Sequence, residues 1–358
     1  MYVLELGGQD DAFAAREAAS AATGVTLVGA GLATARGLSD RVADLAFTHR
    51  ASRLLGRTDP DVDGARTLLE AAGVDRTGSV AVRAVDVRAT TGVDTQAVER
   101  ELGSVLVERG LTVDLDDPDH ELRVLFAGRP GAENTAHDFG RETLPGSPLD
   151  RSDAVAVDAP DGGVCLLGWL AAESDRDFGE RAPTDRPFFQ PGSMDPMLAR
   201  ALANVAGARE GATVLDPMCG TGGILIEAGL VGAHVVGSDA QAKMARGTRA
   251  NLRDALGAEG AFDAVRGDAR RLPLADDAAD AAVFDAPYGR QSKIEADSLE
   301  RLVGDALGEI RRIAPQAVVV GDREWTETAV DAGWAVESTF VRRVHRSLDR
   351  HVAVLERA

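Results

Sequence analysis

The sequence predicts an α/β protein, a doubly wound parallel sheet preceded by an α+β region. Three observations carry that expectation. From residue 211 onward short apolar runs alternate with amphipathic stretches, the rhythm of parallel strands joined by crossover helices. One run, residues 212–215, stops at Asp216 and Pro217 and enters a glycine-rich turn, Cys219-Gly220-Thr221-Gly222-Gly223, ahead of an apolar helix at 224–230. Strand, turn and helix in that order form a nucleotide-binding unit. Before residue 170 the rhythm differs, with several strand patterns gathered around few helices, as in an α+β layer.

At 358 residues the chain is long enough for two or three domains. Residues 1–6 read as a strand, 12–22 as a helix, 26–32 as a second strand, and 41–55 as a helix with Val42, Leu45, Ala46 and Leu54 on one stripe. The polar stretch 57–63, with its proline, reads as the exit from a first unit of residues 1–60. Residues 79–87 alternate as a strand. Residues 95–109 follow as an amphipathic helix, with Val98, Leu102, Val105 and Leu106 inward and Gly110 as its stop. Strands at 121–127 and 164–170 complete a second unit, residues 61–170.

Residues 171–190 are charged, carry Pro183 and Pro187, and show no period, so they read as a linker. Residues 191–358 form the third unit, opening with a helix at 196–206. Phe188, Phe189 and Pro191 either floor a pocket or simply pack the linker onto this unit. Helices at 224–231, 241–256 and 298–313 alternate with strands at 212–215, 234–238, 262–265, 280–284 and 317–320. Strands at 334–341 and 351–355 lack an intervening helix, so a hairpin is expected at the end.

Ligands of open α/β sheets sit at the carboxyl ends of the strands, and the acids of the third unit fall there. Glycines let backbone pass close to a ligand, while the new helix offers free N–H groups. Leu225 stands where the fingerprint G-x-G-x-x-G needs its third glycine, so a dinucleotide fits less well. Asp216 is placed to hold a cation, and a nucleoside bearing an amino acid offers an ammonium group. S-adenosylmethionine answers that description. Asp239 ends the next strand at the spacing where an acid receives ribose hydroxyls. Asp268 follows the third strand and is placed to accept from an adenine amine, with the Ala269 N–H on the ring edge. The cofactor set is therefore Asp216, Gly220, Gly222, Asp239, Asp268 and Ala269.

The fourth strand ends in Asp285-Ala286-Pro287-Tyr288-Gly289-Arg290. An exocyclic amine of guanine or adenine is a poor nucleophile because its lone pair is delocalised into the ring. A side-chain oxygen and a backbone carbonyl accepting its two hydrogens favour a geometry that frees that pair. Asp285 is assigned as proton acceptor, Pro287 as the rigid element, and Tyr288 as a stacking face worth about 1–3 kcal/mol per base. Neither metal nor covalent enzyme intermediate is needed. Arg290 is placed near a phosphate, and Arg342, Arg343, His345 and Arg346 either touch RNA or form a salt-bridged face.

Net charge is −19, from 58 acidic against 39 basic side chains, and Lys243 and Lys293 are the sole lysines. A carboxylate-rich, lysine-poor surface suits concentrated salt, where the Debye length falls to about 3 Å at 1 M. Acidity of this degree normally argues against nucleic acid as a partner. In concentrated salt that argument weakens, and local arginine forks carry recognition instead. Cys165 and Cys219 form neither a disulfide framework nor a zinc pattern. No apolar stretch approaches about 18 residues and no signal pattern opens the chain. A soluble cytoplasmic monomer without membrane or metal partners is expected.

Val80-Ala81-Val82-Arg83, a helix with Glu101-Leu102-Gly103, then Val113-Asp114-Leu115-Asp116-Asp117-Pro118-Asp119 and Glu121-Leu122-Arg123-Val124 together resemble a THUMP domain. That is an RNA-binding module of tRNA-modifying enzymes, preceded there by a small ferredoxin-like domain. Asp285-Ala286-Pro287-Tyr288 is similar to the D-P-P-Y signature of exocyclic-amine methyltransferases, with Ala286 in place of the first proline. In this order, and over nearly the whole chain, these features resemble the archaeal tRNA (guanine-10-N2) methyltransferases, which make the monomethyl and then the dimethyl form. The resemblance implies a class I methyltransferase sheet, an archaeal source and tRNA as partner, while the acidic, lysine-poor composition implies a halophilic cytoplasm. Other readings are a guanine-N2 methyltransferase acting elsewhere in tRNA or rRNA, a DNA adenine-N6 methyltransferase, and a noncatalytic RNA-binding protein.

Overall fold

The computed structural model describes residues 1–130, 156–288, 296–345 and 348–358. Its described residues fall into two compact units, 1–130 with 156–175, and 176–358.

The first unit contains β1 (Tyr2–Leu6), α1 (Asp11–Ala18), β2 (Ala22–Thr23), β3 (Thr26–Gly29), β4 (Leu32–Ala35), β5 (Gly37–Leu38) and β6 (Thr48–Thr58). It continues with α2 (Val62–Ala71), β7 (Ser79–Asp86), α3 (Thr95–Glu108), β8 (Thr112–Val113), β9 (His120–Ala127), β10 (Ala156–Val157) and β11 (Val164–Glu173). One sheet runs through it in the order β10-β3-β4-β1-β6-β11-β9-β7-β8. Both segments expected as separate units share that sheet, because β11 pairs with β6 on one side and β9 on the other. Aspartates start α1, α2 and α3: Asp10, Asp61 and Asp94 accept from the N–H groups of Phe13, Gly64 and Ala97, satisfying donors that a helix start leaves open.

Three expectations for this half are corrected. Residues 41–55 form no helix; a 3-10 turn at Asp40–Asp44 leads into β6. The buried carboxylate of Glu17 on α1 accepts from the N–H groups of Ala46 and Phe47 at 2.6 and 2.7 Å, which holds the chain extended where its apolar stripe suggested a helix. Residues 26–32 are two strands, because Gly31 at φ +69° turns the chain between β3 and β4, a region L side chains rarely enter. The stretch 57–63 is the end of β6 and the start of α2. Beyond residue 170, β11 runs on to Glu173, and two 3-10 turns, Asp177–Arg181 and Pro183–Asp185, follow within the stretch read as a linker.

The second unit contains α4 (Pro196–Val205), β12 (Thr213–Asp216), α5 (Gly223–Leu230), β13 (His234–Asp239), α6 (Ala242–Leu256), β14 (Phe262–Arg266) and β15 (Ala281–Asp285). Then come α7 (Ala296–Ile313), β16 (Gln316–Gly321), α8 (Thr326–Asp331), β17 (Trp334–His345) and β18 (Leu348–Arg357). The strand order is β14-β13-β12-β15-β16-β18-β17. Neighbours from β14 to β16 are parallel, and β18 runs against both β16 and β17. This is the sheet that the class I methyltransferase resemblance implies, with the expected terminal hairpin. The short helix α8 escaped the sequence pattern.

Core packing follows the helix period. Leu299, Val303, Leu307 and Ile310 of α7 are fully buried at spacings of four, four and three, one face of the helix against the sheet. Burial of each is worth about 1.5–3 kcal/mol.

Candidate active site

From β12 the chain steps outward to β13 and β14, then crosses back to β15 on the other side of β12, so the strand order reverses there. A cleft opens at such a reversal, outside the carboxyl ends of the strands. Asp216 is the last residue of β12 and Asp285 the last of β15. Both line one cavity of about 190 Å³, together with Gln190 to Met194, Met218 to Thr221, Gly223, Ile224 and Met244.

The glycine turn is held from several sides. Asp239, ending β13, accepts from the N–H groups of Gly220 at 3.1 Å and Gln241 at 2.8 Å. Thr248 on α6 donates to the Gly220 carbonyl at 2.8 Å. Gly222 caps α5 at φ +80°, and a Cβ there would meet Thr248 Cγ2 at 2.8 Å; conformation and space both demand glycine. Asn251 donates to the carbonyls of Thr221 and Phe188 and accepts from the Phe188 N–H. Phe188 thereby lies on Gly247 of α6, so the aromatic serves packing. Phe189 is exposed, and of the three residues considered for the pocket floor Pro191 is a wall of the cavity. Ser193 and Thr221 share a hydrogen bond at 3.1 Å, which fastens the Gln190 to Met194 wall to the turn.

Asp216 is buried, and its Oδ1 accepts from the Met218 N–H at 3.0 Å. Burial, with Asp239 and Asp285 nearby, pushes its carboxyl well above the usual range. Among the described residues no cation pairs with it. Gly223 and Ile224, at the cavity wall, open α5, where N–H groups have no partner inside the helix.

The Tyr288 hydroxyl donates to Asp285, at 2.8 Å to Oδ1 and 3.1 Å to Oδ2. Arg350 of β18 donates through Nε to the same hydroxyl at 3.0 Å and places its NH2 group 3.7 Å from Asp285 Oδ2. The Asp285 side chain keeps 25% of its surface open, enough for a ligand to reach it. Desolvation nevertheless outweighs Arg350 and pushes the carboxyl up to about 6. Burial also raises the Tyr288 phenol, with Asp285 adding to it.

Asp216, Gly220 and Asp285 therefore meet at one cavity, Asp239 and Gly222 shape its turn, and Tyr288 anchors Asp285. Asp268 and Ala269 are not among the lining residues. Asp268 lies beyond the end of β14 with its carboxylate forked onto Arg270 at 2.7–3.2 Å, and that pairing pulls it down to about 2. Arg290 and Arg346 lie outside the described residues, as does the side chain of His345. Of the C-terminal basic cluster, Arg343 is exposed and Arg342 is partly buried. A basic residue that reaches Asp285 is Arg350, whose only trace in the sequence is its position in a strand of a hairpin. Met218, Met244, Ser193 and Thr221 were likewise missed.

Residues 183–351 match the UPF0020 family, an RMKL-like methyltransferase domain. A tRNA (guanine(10)-N2)-dimethyltransferase of Methanothermobacter thermautotrophicus is 34% identical over 87% of this chain and 83% of its own length. One from Methanocaldococcus jannaschii is 29% identical over 79% of this chain and 72% of its own. The crystal structure of TrmN from Thermus thermophilus superimposes with a TM-score of 0.49 at 21% identity, covering 100% of this chain and 99% of that one. A doubly wound sheet with its acids at the reversal, and identity of this extent along the chain, lead to one statement: the chain is a methyltransferase and belongs to the archaeal tRNA (guanine(10)-N2)-dimethyltransferase family.

Proposed function

We propose that the protein transfers methyl groups from S-adenosylmethionine to the exocyclic N2 of guanine 10 in tRNA, giving N2-methyl- and then N2,N2-dimethylguanosine. The observation that supports this most is the shared cavity, lined by buried Asp216 and partly buried Asp285. A buried carboxylate without a cation partner fits an ammonium group, and the start of α5 suits a carboxylate. The residues present therefore fit an amino-acid-bearing nucleoside. When bound, S-adenosylmethionine supplies an electrophilic methyl group on its sulfonium.

The remaining chemistry belongs to the chain. Asp216 holds the ammonium end, while Asp239 and Gly222 keep Gly220 close to the ligand and Asp239 has lone pairs left for ribose hydroxyls. Asp285 accepts one amine hydrogen of the base and takes the proton released as N2 gains its methyl group. Pro287 stiffens the turn, and its carbonyl or that of Ala286 accepts the second hydrogen. Tyr288 offers its ring to the base. A monomethylated amine still carries one hydrogen for Asp285, so the second transfer needs no further group. Catalysis rests on positioning and proton removal. Contact of Asp268 with an adenine requires it to leave Arg270.

The first unit is proposed to carry the ferredoxin-like and THUMP functions, gripping the tRNA. The acidic, lysine-poor composition supports a salt-rich archaeal cytoplasm. No helix among the described residues is long and apolar enough to cross a membrane. Labelled methyl transfer to tRNA transcripts, with the product nucleotide mapped by mass spectrometry, tests the proposal. Label at guanine 10 supports it. Label at a different guanine, or in another RNA alone, removes the site assignment, and cofactor binding without transfer to any RNA removes the activity.

A further inference from the structure

Arg350 lies 65 positions beyond Asp285 in the chain and at the far side of the sheet's numbering, yet the ladder brings it back. Asp285 registers with Val320 on β16, and Val320 registers with Val352 on β18. Registered residues share a sheet face, and so do residues two apart on a strand. Arg350 is two before Val352, so it shares the face of Asp285. Because β18 runs antiparallel, its earlier residues extend past the carboxyl end of β16, whose ladder stops at Gly321 opposite His351. The antiparallel strand thus carries a cation to the edge where parallel strands end in acids. Arg350 is 5% exposed, so its charge is committed to this neighbourhood.

We propose that Arg350 is a positioning residue for methyl transfer: its guanidinium fixes the Tyr288 hydroxyl against Asp285, so that the carboxylate faces the cavity before a base arrives. The inference rests on the proposed function and deepens it. Two donors from one planar group, Nε to the phenol and NH2 toward the carboxylate, define the orientation of both partners as a single cation on a flexible stem does not. Arg350 also answers the negative charge around Asp285. The groups facing that carboxyl are Tyr288 in its own turn, Arg350 on β18, Asp322 just past β16, itself paired with Arg323, and Asp216 on β12. Removal of Arg350 takes away the larger of the two influences that hold the Asp285 carboxyl down, the Tyr288 hydrogen bond being the other. Ionised Asp285 is the form that accepts a proton, so the acidic limb of the pH profile reports on this cation.

The test compares wild type, Arg350→Gln and Arg350→Lys in labelled methyl transfer to a tRNA transcript from pH 5 to 9, with S-adenosylmethionine affinity by calorimetry and thermal unfolding measured alongside. For Arg350→Gln the acidic midpoint of kcat/KM is expected to rise by about one unit or more, with cofactor affinity within threefold of wild type. For Arg350→Lys the midpoint is expected to stay near that of wild type while kcat falls about tenfold, because charge is kept and the fork is lost. An unchanged acidic limb in folded Arg350→Gln overturns the inference. If Arg350→Gln does not fold, Arg350→Lys decides alone, and an undiminished kcat overturns it. Absence of transfer by wild type to any RNA would instead remove the proposed function, so the two failures are distinct.

Discussion

Tyr288 bridges Asp285, its hydroxyl within 3.1 Å of both carboxyl oxygens. That single O–H orients the carboxylate and leaves acceptor sites on both oxygens for an amine. Replacement of the phenol therefore separates anchoring from stacking. Tyr288→Phe keeps the ring and is expected to lower kcat by about tenfold, whereas Tyr288→Ala also loses the stacking contact and raises KM about 5- to 150-fold, from 1–3 kcal/mol. Asp285→Asn, which removes the proton acceptor, is expected to lower kcat by about 10²-fold or more. Single-turnover methyl transfer with each variant provides the measurement, and equal KM for the Phe and Ala variants would dismiss the ring as a stacking face.

The carboxyl of Asp285 titrates near 6 because burial outweighs Arg350. Activity is expected to rise tenfold per pH unit below that value and to level off above it. A pH profile of kcat/KM checks this, and a midpoint near 4 would mean a carboxyl bathed in water. The stability effect has the opposite sense. A folded-state value of about 6 lies above the unfolded value of roughly 3.9, so the native form holds the proton more tightly. Its contribution is full below the unfolded value and is lost as pH rises through about 6.

Asp216 is raised by burial and has no cation partner among the described residues. Its ionised form costs stability until a ligand supplies positive charge. Asp216→Asn retains an acceptor for the Met218 N–H and discards the charge. It is expected to raise the unfolding temperature of the free protein at pH 8. Cofactor affinity should fall at least tenfold. Calorimetry of binding and a thermal scan read both quantities, and loss of stability without loss of affinity would contradict this role.

Gly222 is constrained twice, by its left-handed backbone and by Thr248. Gly222→Ala is expected to cost about 1–3 kcal/mol, seen as a lowered unfolding temperature. Thr248→Ser removes the methyl group that the new Cβ meets, so the double variant should recover part of the loss. A Gly222→Ala protein as stable as wild type would refute the geometry of the turn.

Asp268 is half exposed and forked onto Arg270. Exposed pairs are worth about 0–1 kcal/mol, so Asp268→Ala is expected to leave stability almost unchanged and cofactor affinity within about threefold. A larger loss of affinity would restore Asp268 as a cofactor contact.

What the sequence determined by itself is local. The turn from Asp216 to Gly223 and the strand-end position of Asp285 depend on residues within one or two elements, whose periodicity and turn chemistry are written in consecutive positions. Helices such as α3 and α7 were legible for the same reason, since their apolar stripes repeat at the helical period. The tertiary structure decided whatever depends on pairing between distant segments. Residues 48–58 became a strand because β1 and β11 lie on either side and Glu17 holds the chain extended before them, contacts that no local window contains. Arg350 reached Asp285 because an antiparallel strand reverses direction beside β16. Periodicity tells which face of a strand is buried, but strand order and register are set by the packing of the whole sheet.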